Sequence, residues 1–135
     1  MLKFVVTGGR GFIGSHFVER CLAEGHKVID IDCMTYAANK SLPWDDDPTY
    51  EHVNDNIKDI THLPMCDILV NFAAESHVDN SIQTPDIFVD SNVLGVLNIL
   101  NLLRGKVYER PLFVHISTDE VYGDVLDGEK TEDSV

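Results

Sequence analysis

The sequence predicts an α/β fold, a doubly wound parallel sheet of about five strands. Short apolar runs alternate with longer amphipathic stretches, a glycine-rich turn follows the first run, and a carboxylate closes the second. Alternation of this kind is the mark of strands joined by crossover helices.

"KFVVTG" (3–8) reads as a strand that stops at glycine. From Phe12 to Glu24 the apolar residues Ile13, Phe17, Cys21 and Leu22 recur at helical spacing, and Gly25 follows where a helix C-terminus favours glycine. "KVIDID" (27–32) alternates and ends at Asp32, which makes it the second strand. Residues 33–50 carry Pro43, Pro48 and Asp45–Asp46–Asp47, the composition of a surface loop. A weak third strand is expected at 51–54 and a brief helix before Pro64. "DILVNFAA" (67–74) is nearly all apolar, as expected of a central strand covered on both faces. Thr84 and Pro85 suit an N-cap and first helical position, with a start one turn earlier also open. The stripe Val89, Val93, Val96, Leu97, Leu100 and Leu103 then runs to Gly105 and reads as core or dimer surface. "LFVHIS" (112–117) is the last strand, and a polar, turn-rich tail follows it.

At 135 residues the chain suits one domain, spanning 1–135. With 44% hydrophobic and 24% charged residues it has an ordinary soluble composition, and no apolar run approaches the length of about 20 needed to span a bilayer. A formal charge of −13 opposes non-specific nucleic-acid binding. The first apolar run breaks at glycines, unlike a signal-peptide core, so a cytoplasmic protein is expected. Cys21, Cys33 and Cys66 lie far apart and read as free, mostly buried thiols. His16, His26, His52, His62 and His115 show no metal-ligand spacing and receive no role; His77 lies beside Ser76 and near the expected site.

"VVTGGRGFIG" sets Gly8, Gly11 and Gly14 between the first strand and first helix. Glycine there permits a tight turn, close approach of backbone to a diphosphate, and close packing of helix on strand. The helix N-terminus adds N–H groups and the positive end of its dipole. Asp32, about twenty residues on, is placed to bind adenosine ribose hydroxyls. This context predicts a Rossmann-type site, and Asp32 favours NAD over its 2′-phosphorylated form. Arg10 is discordant within the turn; a pyrophosphate contact and simple exposure both accommodate it.

Four blocks resemble the extended short-chain dehydrogenase/reductases, and among them the dTDP-glucose 4,6-dehydratases: "VTGGRGFIGSHFVE", "DCMTYAANKSL", "NFAAESHVDNSIQTP" with "SNVLGVLNIL", and "HISTDEVYGD". The first is shared widely; "AAESHVD" with "STDEVYG" is much more specific. The resemblance implies that Gly8, Gly11, Phe12, Ile13 and Gly14 lie against the NAD pyrophosphate, and that Asp32 and Thr35 hold the adenosine ribose side. It puts Asn56 and Ile57 beside adenine, with Asn56 standing where relatives carry Asp. Phe72, Ala73, Ala74 and Ser76 would pass under the nicotinamide ribose, Ser76 also near the sugar, and Ser91 replaces a usual Thr while keeping the hydroxyl.

It further implies a reaction in which hydride leaves C4 of a hexose, water is eliminated across C5 and C6, and hydride returns at C6. Glu120 would be the base at C5, Asp119 the acid at the C6 hydroxyl, and Thr118 the hydrogen-bond partner of the C4 oxygen. Adjacent carboxylates can divide such roles only where their surroundings separate their ionisation. The substrate implied is a sugar nucleotide, dTDP-glucose, with UDP-glucose as the alternative. In relatives the 89–103 helix helps form a dimer, which implies a homodimer here.

Relatives continue beyond "TEDS" to a Tyr-x-x-x-Lys helix, where the tyrosine deprotonates the C4 hydroxyl. The chain ends at Val135; Tyr108 and Tyr122 have no lysine four positions on, and Tyr36 before Lys40 sits in the loop after the second strand. The expectation is a truncated product or N-terminal portion of a larger enzyme, inactive alone, with an exposed apolar edge at the last strand. The competing expectation is a non-catalytic NAD-binding module completed by a partner.

Overall fold

The computed structural model describes residues 1–106, 110–125 and 127–134; Tyr108, Leu126 and Val135 lie outside them. Five strands form one parallel sheet: β1 (Lys3–Thr7), β2 (Lys27–Ile31), β3 (Tyr50–Val53), β4 (Ile68–Asn71) and β5 (Leu112–His115), in the order β3-β2-β1-β4-β5. The strand order reverses beside β1, which pairs with β2 through Val5↔Ile29 and with β4 through Val5↔Leu69. Successive connections from this point cover opposite faces of the sheet, which is the doubly wound arrangement expected.

Period-two alternation divides β1 between the faces. Phe4 and Val6 join Val28, Val70 and the α1 residues Val18 and Cys21 (α1, Phe12–Ala23). Val5 points the other way, into Ile29, Ile31, Leu69, Ile57, Ile60 and Leu63. Burial of each such aliphatic side chain contributes about 1.5–3 kcal/mol, which makes β1 the mechanical centre of the fold.

The second face is closed by a helical segment in three parts after the short α2 (Val78–Gln83): α3 (Pro85–Val89), a π-helical stretch (Asp90–Gly95) and α4 (Val96–Gly105). Thr84 occupies the cap position, yet its hydroxyl donates back to the Asn80 carbonyl (3.0 Å), because α2 is a helix already in progress one turn earlier. The face packed on the sheet is Gly95, Ile99 and Leu103. A Cβ on Gly95 would stand 2.6 Å from Ile57 Cδ1, so the helix packs this closely on the 57–59 turn only because position 95 lacks a side chain. Asn98 Nδ2 secures the contact by donating to the carbonyls of Ile57 and Ile60, each at 2.9 Å.

Several expectations are corrected. The stripe Val89, Val93, Leu97 and Leu100 is exposed, which corrects the core half of its reading and does not bear on the dimer-surface half; of the six residues only Leu103 is buried. The 21 residues Pro85–Gly105 have a mean hydropathy of 1.4 over 18 residues, long and apolar enough to cross a membrane by length and composition alone, although Asp86, Asp90 and Arg104 interrupt the run. Here the segment lies along the sheet through the contacts just described. The brief helix before Pro64 is a single turn at 57–59, closed by the Asp59 and Ile60 N–H groups on the Asn56 carbonyl (2.8 and 3.1 Å), and Lys58 pairs with Asp90 across the chain. β4 stops at Asn71, leaving 72–74 as loop, and β5 stops at His115. Cys21 is buried, but Cys33 is exposed and Cys66 only half-buried.

Candidate functional site

A cleft of about 270 Å³ opens beyond the carboxyl ends of β1, β2 and β4, at the reversal point of strand order. In an open parallel sheet this is where ligands bind, because crossover connections diverge there and leave a crevice. Gly8 and Gly11 form its floor, Asp32, Cys33, Thr35, Ala37 and Ala38 one wall, and Phe72, Ala73, Ala74 and Glu75 the other. Asp55, Asn56, Ile57, Ile87, Asp90 and Ser91 also line it.

The turn depends on glycine for measurable reasons. Gly8 has φ +72°, and a Cβ on it would lie 2.7 Å from the Ala73 amide nitrogen. Its own N–H donates to the Ile31 carbonyl (2.9 Å), while the Phe72 N–H donates to Thr7 (2.9 Å), so the turn is wedged between two strand ends. A Cβ on Gly14 would come within 2.1 Å of the Gly8 carbonyl oxygen, which is how α1 approaches the turn so closely. The N-terminus of α1 is thereby packed directly against the glycine turn that floors the cleft.

Asp32 is buried at the rim and oriented by backbone. Its Oδ1 accepts from the Met34 N–H at 2.8 Å and its Oδ2 from the Arg10 N–H at 3.1 Å. Each oxygen keeps a further lone pair for a hydroxyl donor. Met34 takes the left-handed conformation (φ 55°), unusual for a side chain of its size, and the Asp32 bond holds it there. On the opposite wall Asn92 clamps Glu75 at both ends, its Oδ1 accepting from the Glu75 N–H (2.8 Å) and its Nδ2 donating to the Glu75 carbonyl (2.9 Å). Tyr36 Oη accepts from Asn80 Nδ2 at 2.9 Å, linking the loop after β2 to α2 at the surface.

Of the residues singled out in the sequence, Gly8, Gly11, Asp32, Thr35, Asn56, Ile57, Phe72, Ala73, Ala74 and Ser91 come together on this cleft. Phe12 and Ile13 lie in the first turn of α1 with their side chains exposed, and Gly14 packs behind the turn. Ser76 is exposed outside the cleft lining. Thr118, Asp119 and Glu120 follow β5 in an exposed 3₁₀ turn (Asp119–Tyr122), where Thr118 Oγ1 accepts from the Glu120 N–H at 3.3 Å. They stand beyond the same edge of the sheet but do not line the cleft. Beneath them a polar row crosses the strands in register: Thr7 Oγ1 donates to Asn71 Oδ1, and Asn71 Nδ2 shares a 2.9 Å hydrogen bond with His115 Nδ1.

Arg10 corrects both readings offered for it. Its side chain is only 4% exposed, and the guanidinium forms a two-pronged pair with Asp45, Nη1–Oδ1 at 2.7 Å and Nη2–Oδ2 at 3.0 Å. It is absent from the cleft lining. The Asp45 hydrogen bond raises the guanidinium pKa further above its already high value, and reciprocally holds the Asp45 carboxyl below its ordinary value. Arg10 Nη1 also donates to Tyr50 Oη (3.1 Å), whose hydroxyl donates to Asp30 Oδ2 (2.9 Å); Asp30 Oδ1 accepts from the Gly9 N–H (2.8 Å). Burial pushes the Asp30 carboxyl up to about 7 and the Tyr50 phenol further up from its ordinary value. Sequence reasoning missed this network because its members lie 20 to 40 positions apart. Cys33, Asp55, Glu75, Ile87 and Asp90 were also missed as lining residues. For Glu75 a signal existed, since it sits inside "AAESHVD".

The sheet and its cleft define a Rossmann-type α/β domain of the kind found in extended short-chain dehydrogenase/reductases. More narrowly, the chain belongs to the GDP-mannose 4,6 dehydratase family, whose sequence profile matches residues 5–135. It is 42% identical over 139 residues to the low-salt glycan biosynthesis protein Agl12 of Haloferax volcanii, covering 98% of this chain and 44% of that protein. A dTDP-glucose 4,6-dehydratase of Xanthomonas campestris pv. campestris is 39% identical over 138 residues, covering 91% and 39%. Among solved structures, DesIV, a dTDP-glucose 4,6-dehydratase from Streptomyces venezuelae crystallised with NAD, superimposes with a TM-score of 0.86 at 41% identity, covering 98% of this chain and 44% of DesIV. The chain thus spans well under half the length of the relatives it matches.

Proposed function

We propose that residues 1–135 form the NAD-binding domain of a sugar-nucleotide 4,6-dehydratase acting on dTDP-glucose. The observation that carries this reading is the meeting of Gly8, Gly11, Asp32, Asn56, Phe72 and Ser91 on one cleft at the reversal point of strand order. Those residues fit a dinucleotide. The turn leaves no room for Cβ atoms where a diphosphate would approach, and Asp32 offers carboxylate lone pairs to a ribose. Among the described residues no lysine or arginine lines the cleft, which suits an unphosphorylated 2′-hydroxyl.

Bound NAD would supply the acceptor, and later the donor, of the hydride exchanged with the hexose. Around it Gly8, Gly11 and the α1 amides of Phe12, Ile13 and Gly14 would bind the diphosphate, Asp32 and Thr35 the adenosine ribose, and Asn56 and Ile57 the adenine. Phe72, Ala73, Ala74, Ser76 and Ser91 would orient the nicotinamide half. Thr118 would hydrogen-bond the C4 oxygen, Glu120 would take the C5 proton, and Asp119 would protonate the departing C6 hydroxyl. The sequence has no Tyr-x-x-x-Lys helix after β5, so this chain alone is proposed to bind NAD without turning over sugar.

Calorimetric titration with NAD, followed by incubation of excess protein with dTDP-glucose or UDP-glucose, tests the reading. Binding without product is expected. Absence of binding would overturn the cofactor assignment, and a 4-keto-6-deoxy product would overturn the inactivity of the isolated chain.

A second reading is favoured by exposed apolar surface. Val89, Val93, Leu97 and Leu100 are 50%, 57%, 50% and 42% exposed, and Leu112, Val114 and Ile116 mark the β5 edge. Such surface calls for a cover, either a second copy against the 89–103 helix or another polypeptide that completes the site. Co-purification of a chain bearing the Tyr-x-x-x-Lys helix would favour that module.

A further inference from the structure

The network around Arg10 joins the glycine turn to the loop that forms the adenosine-side wall. Arg10 N–H donates to Asp32, and its carbonyl accepts from both Asn39 N (2.8 Å) and Asn39 Nδ2 (3.0 Å). Its side chain returns to the same loop, with Nε on the Asn39 carbonyl (2.9 Å) and both Nη atoms on Asp45. Asp45 in turn accepts from the Leu42 N–H (2.9 Å), so residues 39–45 fold around one guanidinium. Between this anchor and Asp32 lie Cys33, Thr35, Ala37 and Ala38, the cleft wall itself.

We propose that Arg10 and Asp45 are positioning residues for the dinucleotide: their pair fixes the wall 33–38 against the glycine turn and sets the adenosine-side width of the cleft before ligand arrives. This rests on the NAD reading given above. The physical advantage is preorganisation, since a surface loop that is already ordered does not lose its freedom on binding. A two-pronged guanidinium–carboxylate pair suits the task because it fixes orientation as well as distance. The alternative, a guanidinium serving the ligand directly, conflicts with its place behind the wall and with four of its donor contacts being taken by protein.

The test compares wild type, Arg10→Ala, Asp45→Ala and the double variant in the 135-residue chain, by titration with NAD and with ADP-ribose. Amide hydrogen exchange is measured on the ligand-free proteins. Each single variant is expected to weaken both ligands about tenfold, and the double variant no further than either single, because one pair is being broken. Exchange should quicken at residues 34–40 and not in β1 or β4; general loosening of the fold would not confine the effect in this way. Arg10→Lys, which keeps charge but loses the fork, should fall between wild type and Arg10→Ala. Where an alanine variant fails to fold, Asp45→Asn carries the same expectation with the side-chain shape preserved. Folded variants that bind both ligands as wild type does, or additive losses in the double variant, would overturn the positioning role alone. A wild type that binds neither ligand would overturn the NAD reading and this role together.

Discussion

The two ends of the sheet's carboxyl edge differ sharply in how their polar groups are held. On the β2 side Asp30, Asp32 and Arg10 are all buried and each is hydrogen-bonded, partly to backbone. On the β5 side Thr118, Asp119 and Glu120 stand exposed, and their hydrogen bonds are local to the turn. The contrast teaches that binding and chemistry have different structural requirements here. A cofactor wall can be assembled from one domain's own loops, because glycine, a carboxylate and nearby amides suffice. For the proposed division of roles between Asp119 and Glu120, surroundings that separate their ionisation would be needed beyond the local hydrogen bonds of the turn.

The largest effect that would sharpen this contrast is expected at Asp30. Burial raises its carboxyl from an ordinary 3.8 to about 7, so between those values the folded state binds more protons than the unfolded one. Its contribution to stability is complete below 3.8 and is lost as pH rises through 7, a change of up to about 4 kcal/mol. Asp30→Asn should therefore gain on wild type by that order between pH 4 and pH 8 in urea unfolding. Parallel pH profiles for the two proteins would show that the β2 side carries no such burden.

Next in size is Gly14→Ala. The added Cβ meets the Gly8 carbonyl oxygen, which is backbone and cannot rotate away, so a loss of about 3 kcal/mol in thermal or denaturant unfolding is expected. On the exposed helix, Leu97→Glu should change stability by no more than about 0.5 kcal/mol while abolishing self-association in sedimentation velocity. A monomeric wild type, or an unchanged dimer in the variant, would deny that helix the interface role. The smallest effect belongs to Glu120→Gln, expected to leave both stability and NAD affinity of this chain unchanged. A clear loss of affinity would break the comparison by tying the β5 turn to the cofactor cleft.

Much of this was legible along the chain wherever a local pattern answers to a local cause. The alternation in "KVIDID", the apolar run of β4, the glycines of the first turn and Asp32 after the second strand each act over a few residues or one strand–turn–helix unit. Helical periodicity was less reliable: the stripe from Val89 to Leu100 has the right spacing, yet the sheet is met by Gly95, Ile99 and Leu103. Which face of an apolar helix turns inward depends on the shape opposite it, here Ile57 filling the space above Gly95.

The amino-acid order by itself therefore determined the parallel α/β fold, the glycine turn and the acidic residue beside it, because propensity, turn geometry and spacing act between near neighbours. Tertiary structure alone decided the fate of Arg10. Nothing within the turn distinguishes a guanidinium that faces a ligand from one that is turned away. The choice is made by Asp45, Tyr50 and Asn39, which lie 29 to 40 positions along the chain and come within hydrogen-bonding distance only once the loop after β2 has folded back over the turn.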